Sequence, residues 1–255
     1  MRSTYANVSL ANIKHNIRLM RSRLNPETKY LAVVKANAYG HGMEAVANCA
    51  LESGAAYLGV AFAEEGVRLR LAGVTAPILL LGATDEDHMD DVIRHSLMPT
   101  VFTVETLSLL QAHAAKLNMV CRVHIKVDTG MNRIGFTSEA EFMEAILLLK
   151  SCKNLALDGL FTHFAVSELP DPSFTRLQAD RFRRYIAIAR ENGLQPILHA
   201  SNSAAALHLP DTQFDMVRGG IAMYGCNPAG HAIEGDDLRP VMSWQRNSTE
   251  AAVPP

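Results

Sequence analysis

The chain has 255 residues, 24 of them Lys or Arg and 26 Asp or Glu, for a formal net charge of −2. That balance argues against a nucleic-acid binder, which carries a basic excess to meet phosphates. Apolar residues make up 48% and charged residues 20%, a mix that buries a core and excludes a disordered chain.

Residues 4–8 read as a short strand. A helix follows, with Ser9 as its N-cap and Leu10, Ile13, Ile17, Met20 and Leu24 as one apolar stripe at helical spacing. Apolar, partly β-branched runs then recur at 31–34, 57–61, 77–81, 97–102 (weakened by Pro99), 122–127, 157–161, 196–199 and 214–218. Helical spacing fills the intervals at 43–53, 64–71, 87–95, 105–116, 138–150 and 175–192. Strands that are nearly all apolar suit a sheet covered on both faces. Eight of them alternating with helices predict an α/β protein, a parallel (β/α)8 TIM barrel, which fills this length as one domain. A doubly wound open sheet is the alternative, because periodicity does not separate a closed sheet from an open one. The strand at 4–8 would lie outside the barrel and needs a partner. After about residue 228 the chain turns polar and rich in Gly, Asp and Pro. The barrel domain is therefore assigned to residues 1–243, and 244–255 are expected to form a divergent, disordered tail.

The N-terminal residues lack the apolar core of a signal peptide, and no apolar run is long enough to cross a bilayer. Cys49, Cys121, Cys152 and Cys226 form no CxxC pair, and the histidines show no ligand spacing. A cytoplasmic protein without membrane or nucleic-acid partners, and without a metal, is expected.

Barrel chemistry gathers at the C-terminal ends of the strands. Lys35 follows the first strand; a buried lysine there would be a nucleophile of lowered pKa, and one reaching water would be an ordinary surface cation. Lys126 ends the fifth strand, with Arg133 soon after. His163 follows the sixth strand, Ser203 the seventh, and Arg218-Gly219-Gly220-Ile221 the eighth. The last two loops are where barrels hold phosphate, and Ser203, the glycine amides and Tyr224 could serve. Gly40-His41-Gly42-Met43-Glu44-Ala45 matches a G-x-G-x-x-A dinucleotide fingerprint, but residues 35–39 separate it from its strand.

Val34-Lys35-Ala36-Asn37-Ala38-Tyr39-Gly40-His41-Gly42 resembles the cofactor-lysine signature of the alanine racemases, which use pyridoxal 5'-phosphate. Residues 126–136 (Lys126-Val127-Asp128-Thr129-Gly130-Met131-Asn132-Arg133-Ile134-Gly135-Phe136), Thr162-His163-Phe164-Ala165, Ser201-Asn202-Ser203-Ala204 and residues 217–225 resemble four further blocks, in the family's order. The resemblance covers about residues 5–243.

It implies an isomerase interconverting L-alanine and D-alanine and supplying D-alanine for cell-wall synthesis. Lys35 would bind the cofactor covalently and act as one of two bases at the substrate α-carbon. Tyr39, Ser203, Gly220, Ile221 and Tyr224 would hold the phosphate. Arg218 would face the pyridine nitrogen, His163 would pack by the ring, and Arg133 would bond the ring's phenolic oxygen and influence substrate placement. Lys126 matches a lysine that is carbamylated in several members. The family acts as a homodimer, and its second base is a tyrosine from a C-terminal β-rich domain of the partner subunit. The match fails at Trp244-Gln245-Arg246, so that domain is expected to be absent and activity to be impaired. The alternative is a single-barrel pyridoxal-phosphate homeostasis protein without racemase activity.

Overall fold

The computed structural model describes residues 4–230 and 237–246. Strand β1 (Thr4–Val8) leads into α1 (Leu10–Ser22), and the Ser9 hydroxyl caps that helix by accepting from the Asn12 amide. Ile13, Ile17 and Met20 are fully buried, whereas Leu10, at the head of the predicted stripe, is exposed. The chain then runs through β2 (Lys29–Val33), a tight helical turn α2 (Lys35–Tyr39), α3 (Met43–Glu52), β3 (Tyr57–Val60), α4 (Ala63–Leu71) and β4 (Ile78–Leu80). It continues with α5 (Met89–Arg94), β5 (Thr100–Val101), α6 (Val104–Lys116), β6 (Cys121–Lys126), α7 (Glu139–Ser151) and β7 (Leu155–Phe161). It ends with α8 (Ser173–Glu191), β8 (Ile197–His199), α9 (Ser203–His208), β9 (Met216–Gly219) and β10 (Met242–Arg246).

Strands β2 to β9 form one parallel sheet in the order β4-β3-β2-β9-β8-β7-β6-β5. A parallel bridge between Leu79 and Met98 joins its two edges. There the Leu80 amide donates to Met98 at 2.8 Å and the Met98 amide to Ile78 at 2.9 Å. The sheet is thus a closed barrel, and the open-sheet alternative is excluded. Pro99 has no amide to give the ladder, which leaves β5 with two residues.

The outlying strand β1 finds its partner in β10, antiparallel, from Thr4 opposite Arg246 to Val8 opposite Met242. Strand β10 runs across the boundary between Ser243 and Trp244. The rest of the expected tail, residues 247–255, lies outside the described residues. The apolar shell between strands and helices divides into two large clusters. One is built on α1, β2, α3, β3 and α4, the other on α6, β6, α7, β7 and α8.

Candidate active site at the barrel mouth

A cavity of about 650 Å3 opens at the C-terminal ends of the strands, with Lys35, Lys126, Arg133, His163, Ser203 and Arg218 on its wall. The predicted strand-end residues therefore come together, although they are spread over more than 180 positions of sequence.

Lys35 enters the cavity from an unusual piece of backbone. Ala36, Asn37, Ala38 and Tyr39 all sit at φ between +52° and +54°. L-residues avoid that region, at about 1–2 kcal/mol each. Several hydrogen bonds hold the turn in place. The Ala36 amide donates to Glu65 Oε1 at 2.6 Å, and the other oxygen of the same carboxylate accepts from Ala61 at 2.7 Å. Asn37 Oδ1 accepts from the Met43 amide, and Gly40 and Gly42 donate to Ala36 and Asn37 carbonyls. Glu65 is a site residue that the sequence reading missed as such. Its one signal was a pair of acids, Glu64-Glu65, in the first turn of α4, which a favourable helix dipole already explains.

Ser203, Gly220 and Tyr39 form a small cradle. Ser203 Oγ accepts from the Gly220 amide at 2.9 Å and from Ala222 at 3.4 Å. A Cβ placed on Gly220 would stand 3.5 Å from the Tyr39 hydroxyl and 3.9 Å from Ser203 Oγ, so any side chain there would fill the cradle. Ile221 borders the same space and is exposed. Tyr224 does not fit its predicted role. Its hydroxyl donates its single proton to the Val33 carbonyl at 2.9 Å, and it does not line the cavity. Its ring instead packs behind Tyr39 and His41, at 5.0 and 4.7 Å between centroids.

Arg218 is buried and aimed by acceptors. It donates to the carbonyls of Thr162 and Ala200, both at 2.8 Å, and to Nδ1 of His199 at 2.8 Å and of His163 at 3.2 Å. Burial and the nearby Arg133 lower its pKa to about 9, so it remains a cation at neutral pH. His163 goes the other way. Burial, then Arg218, Arg133, Lys126 and Lys35 in turn, push it down to about 3, and it stands as a neutral ring. Lys126 is almost fully buried, donates to the Ile134 carbonyl and lies 5.8 Å over the Phe161 ring. Burial lowers its ammonium to about 8.

Arg133 rides on a loop that Asp128 organises. The Asp128 carboxylate accepts from the amides of Gly130 and Met131 at 2.8 Å and of Arg133 at 3.0 Å. Burial alone would raise this carboxyl; the amides outweigh it and hold it below the usual carboxylate range. Among the described residues Glu168 is the one carboxylate on the cavity wall, against Lys35, Lys126, Arg133 and Arg218. A wall with that excess attracts a ligand carrying more than one negative charge. Among the described residues no helix is long and apolar enough to cross a membrane, and no group of three metal-ligating side chains is present.

Fold and site together define a closed (β/α)8 barrel with a cationic, lysine-bearing mouth and a small polar cradle beyond its last two strands. The chain belongs to the alanine racemase family: residues 8–228 match the domain described as "Alanine racemase, N-terminal domain". It is 40% identical over 241 residues to an alanine racemase of Methanococcus maripaludis, covering 94% of this chain and 65% of that protein. It is 40% identical to one of Desulfovibrio desulfuricans, covering 100% of this chain and 69% of that protein. Among solved structures, alanine racemase of Clostridium difficile 630 superposes with a TM-score of 0.92 at 36% identity, over 96% of this chain and 64% of that one. The Bacillus anthracis enzyme with bound L-Ala-P gives 0.89 at 34%, with the same coverage. The chain thus spans about two thirds of the length of these relatives.

Proposed function

We propose that this barrel holds pyridoxal 5'-phosphate and serves the racemisation of alanine, the reaction that supplies D-alanine for cell-wall synthesis. The observation that carries the reading is that one cavity unites Lys35, the Ser203–Gly220–Tyr39 cradle and the guanidinium of Arg218. The residues fit the group: a cofactor with a phosphate and a phenolic oxygen meets an excess of cations and a cradle into which a Cβ on Gly220 would project.

When bound, this cofactor supplies a conjugated ring that withdraws electrons from the substrate α-carbon. Lys35 would hold it covalently and serve as the base for the α-carbon proton on its own face. Tyr39, Ser203 and the amides of Gly220 and Ile221 would hold the phosphate, the Gly220 amide sharing its proton with Ser203 Oγ, to which it donates at 2.9 Å, and Tyr224 supports Tyr39 from behind. Arg218, on the cavity wall, would face the pyridine nitrogen. Its guanidinium has donors only and keeps its protons, so it would leave a ring nitrogen beside it uncharged and favour proton exchange over other chemistry. His163 offers a neutral ring to pack beside the cofactor, and Arg133 orients the ring oxygen and the substrate carboxylate. Lys126, as a partly neutral amine, takes up CO2 with release of a proton. The resulting carbamate turns a buried cation into an anion beside Arg133.

The second reading is a cofactor-binding barrel without racemase activity. It is favoured by the tyrosines: among the described residues Tyr39 alone lines the cavity, on the phosphate side, so no phenol is placed as an opposite-face base. The test is to supply pyridoxal 5'-phosphate and L-alanine, measure D-alanine, and fix the bound cofactor with borohydride. The reading expects D-alanine and an adduct on Lys35 that Lys35→Ala abolishes. An adduct that survives this change overturns the site. An adduct on Lys35 without D-alanine selects the second reading.

A further inference from the structure

Below Arg218 a line of buried polar groups runs into the barrel. Barrel interiors are mostly filled by branched apolar side chains, so this line needs a reason. Arg218 donates to His199 Nδ1 at 2.8 Å. His199 Nε2 meets His124 Nδ1 at 2.9 Å, and His124 Nε2 meets Asp158 Oδ2 at 3.0 Å. Both imidazoles are fully buried. Asp158 is also paired with Arg122 and accepts from the Tyr57 hydroxyl.

Local structure is shaped around this line. The register of β6 on β7 pairs Val123 with Leu157 but His124 with Gly159, so Asp158 is the extra residue of a bulge. A bulge re-aims a side chain, and here it brings the carboxylate to His124. A Cβ on Gly159 would stand 2.2 Å from His124 Nδ1, so only glycine leaves room for the ring. The Phe161 ring stacks flat on His199 at 4.6 Å, which fixes its plane.

The two ends of the line decide its polarity. A guanidinium only donates and a carboxylate only accepts. Asp158 therefore accepts from the Nε2–H of His124, which leaves His124 Nδ1 as an acceptor for the Nε2–H of His199. His199 Nδ1 is then free to accept from Arg218. We propose that Asp158 is a positioning residue for Arg218: through His124 and His199 it fixes both imidazoles as Nε2–H tautomers and so presents a bare Nδ1 to the guanidinium. In the opposite tautomer His199 would set an N–H against the guanidinium, donor against donor, and Arg218 would lose the one bond that ties it to the barrel interior, keeping those to Thr162, Ala200 and His163. Burial favours the neutral form of both rings, as the line requires. The functional consequence rests on the role proposed for Arg218; the tautomers do not.

Long-range proton–nitrogen correlation on the histidine-labelled full chain, at pH 7 and without added cofactor, reads each tautomer directly. The expected result is a single Nε2–H tautomer for His124 and for His199. In Asp158→Ala only the guanidinium is left to orient the line, so a minor Nδ1–H population should appear at His124 and at His199, and Asp158→Glu should remove it. An Nδ1–H or doubly protonated ring at either position in the unmodified chain overturns the proposal, and that measurement stands even where a variant does not fold. An unchanged His199 pattern in folded Asp158→Ala overturns it as well. No cofactor enters the measurement, so its failure is distinct from a failure to bind pyridoxal 5'-phosphate.

Discussion

Glu65→Ala tests whether the turn that carries Lys35 is held from outside. Residues 36–39 store roughly 4–8 kcal/mol of backbone strain, at about 1–2 kcal/mol for each left-handed L-residue. Glu65 opposes that strain with two charge-assisted bonds, to Ala36 at 2.6 Å and Ala61 at 2.7 Å. Such bonds contribute about 1.5–3 kcal/mol each, and the exposed Ala36 amide can return to water, so its bond counts at the low end. Removing both should cost the turn about 3 kcal/mol of local stability. Ala38 donates to Val34 at 2.8 Å and Gly40 to Ala36 at 3.0 Å, so both amides are protected by the turn. Their hydrogen exchange should accelerate about 100-fold, since each 1.4 kcal/mol is about tenfold. Amides of β7 serve as the internal reference and should not change. Unaltered protection at Ala38 and Gly40 in the folded variant would refute the reasoning, because the turn would then hold itself.

Tyr224→Phe should lower stability by about 1 kcal/mol through the lost bond to Val33, with affinity for pyridoxal 5'-phosphate unchanged; a clear loss of affinity in titration would return the residue to the phosphate site. Incubation with 13C-bicarbonate should give a carbamate resonance that Lys126→Ala removes, and its survival in the variant would place the modification elsewhere. Acid should destabilise the fold through His124, His163 and His199, whose pKa values all lie below the ordinary 6.5 when folded. The unfolded chain then binds more protons below that value, so stability is complete above pH 6.5 and declines as pH falls. With all three groups engaged the slope approaches about 4 kcal/mol per pH unit. Thermal unfolding from pH 7.5 to 4.5 reads this, and a constant Tm across the range would contradict it.

All eight barrel strands were legible because each is an apolar run bounded by helical spacing, and the parallel sheet keeps both faces of such a run dry. Closure was not, since it depends on one bridge at Leu79 and Met98 that no periodicity reports. Lys35, Ser203, Gly220 and Arg218 were visible as chemistry-bearing residues at strand ends, and the family blocks sharpened their roles. Glu65, Asp128 and Asp158 were invisible as site residues. Each acts by accepting hydrogen bonds from partners set by turns or a bulge, and an acid in sequence looks the same whether it faces water or a backbone amide. Tyr224 misled for the opposite reason: it sits beside Gly220 and Ile221 in sequence, yet the helical turn at Ile221–Tyr224 sends its phenol down to Val33.

The barrel divides its labour unevenly. The charged and hydrogen-bonding groups come from β2, β9, β8, β7 and β6, which are adjacent in the sheet. The remaining arc, next to the seam at Leu79 and Met98, gives the cavity only Ala61, Phe62, Leu81, Gly82 and Ala83. Shape and chemistry are thereby uncoupled. Enlarging or narrowing this apolar arc should change the room in the cavity without moving a single charged group, and on the proposed function that room is where selectivity for the ligand's side chain would be tuned. That makes Ala61, Leu81 and Ala83 the positions at which a directed library should begin.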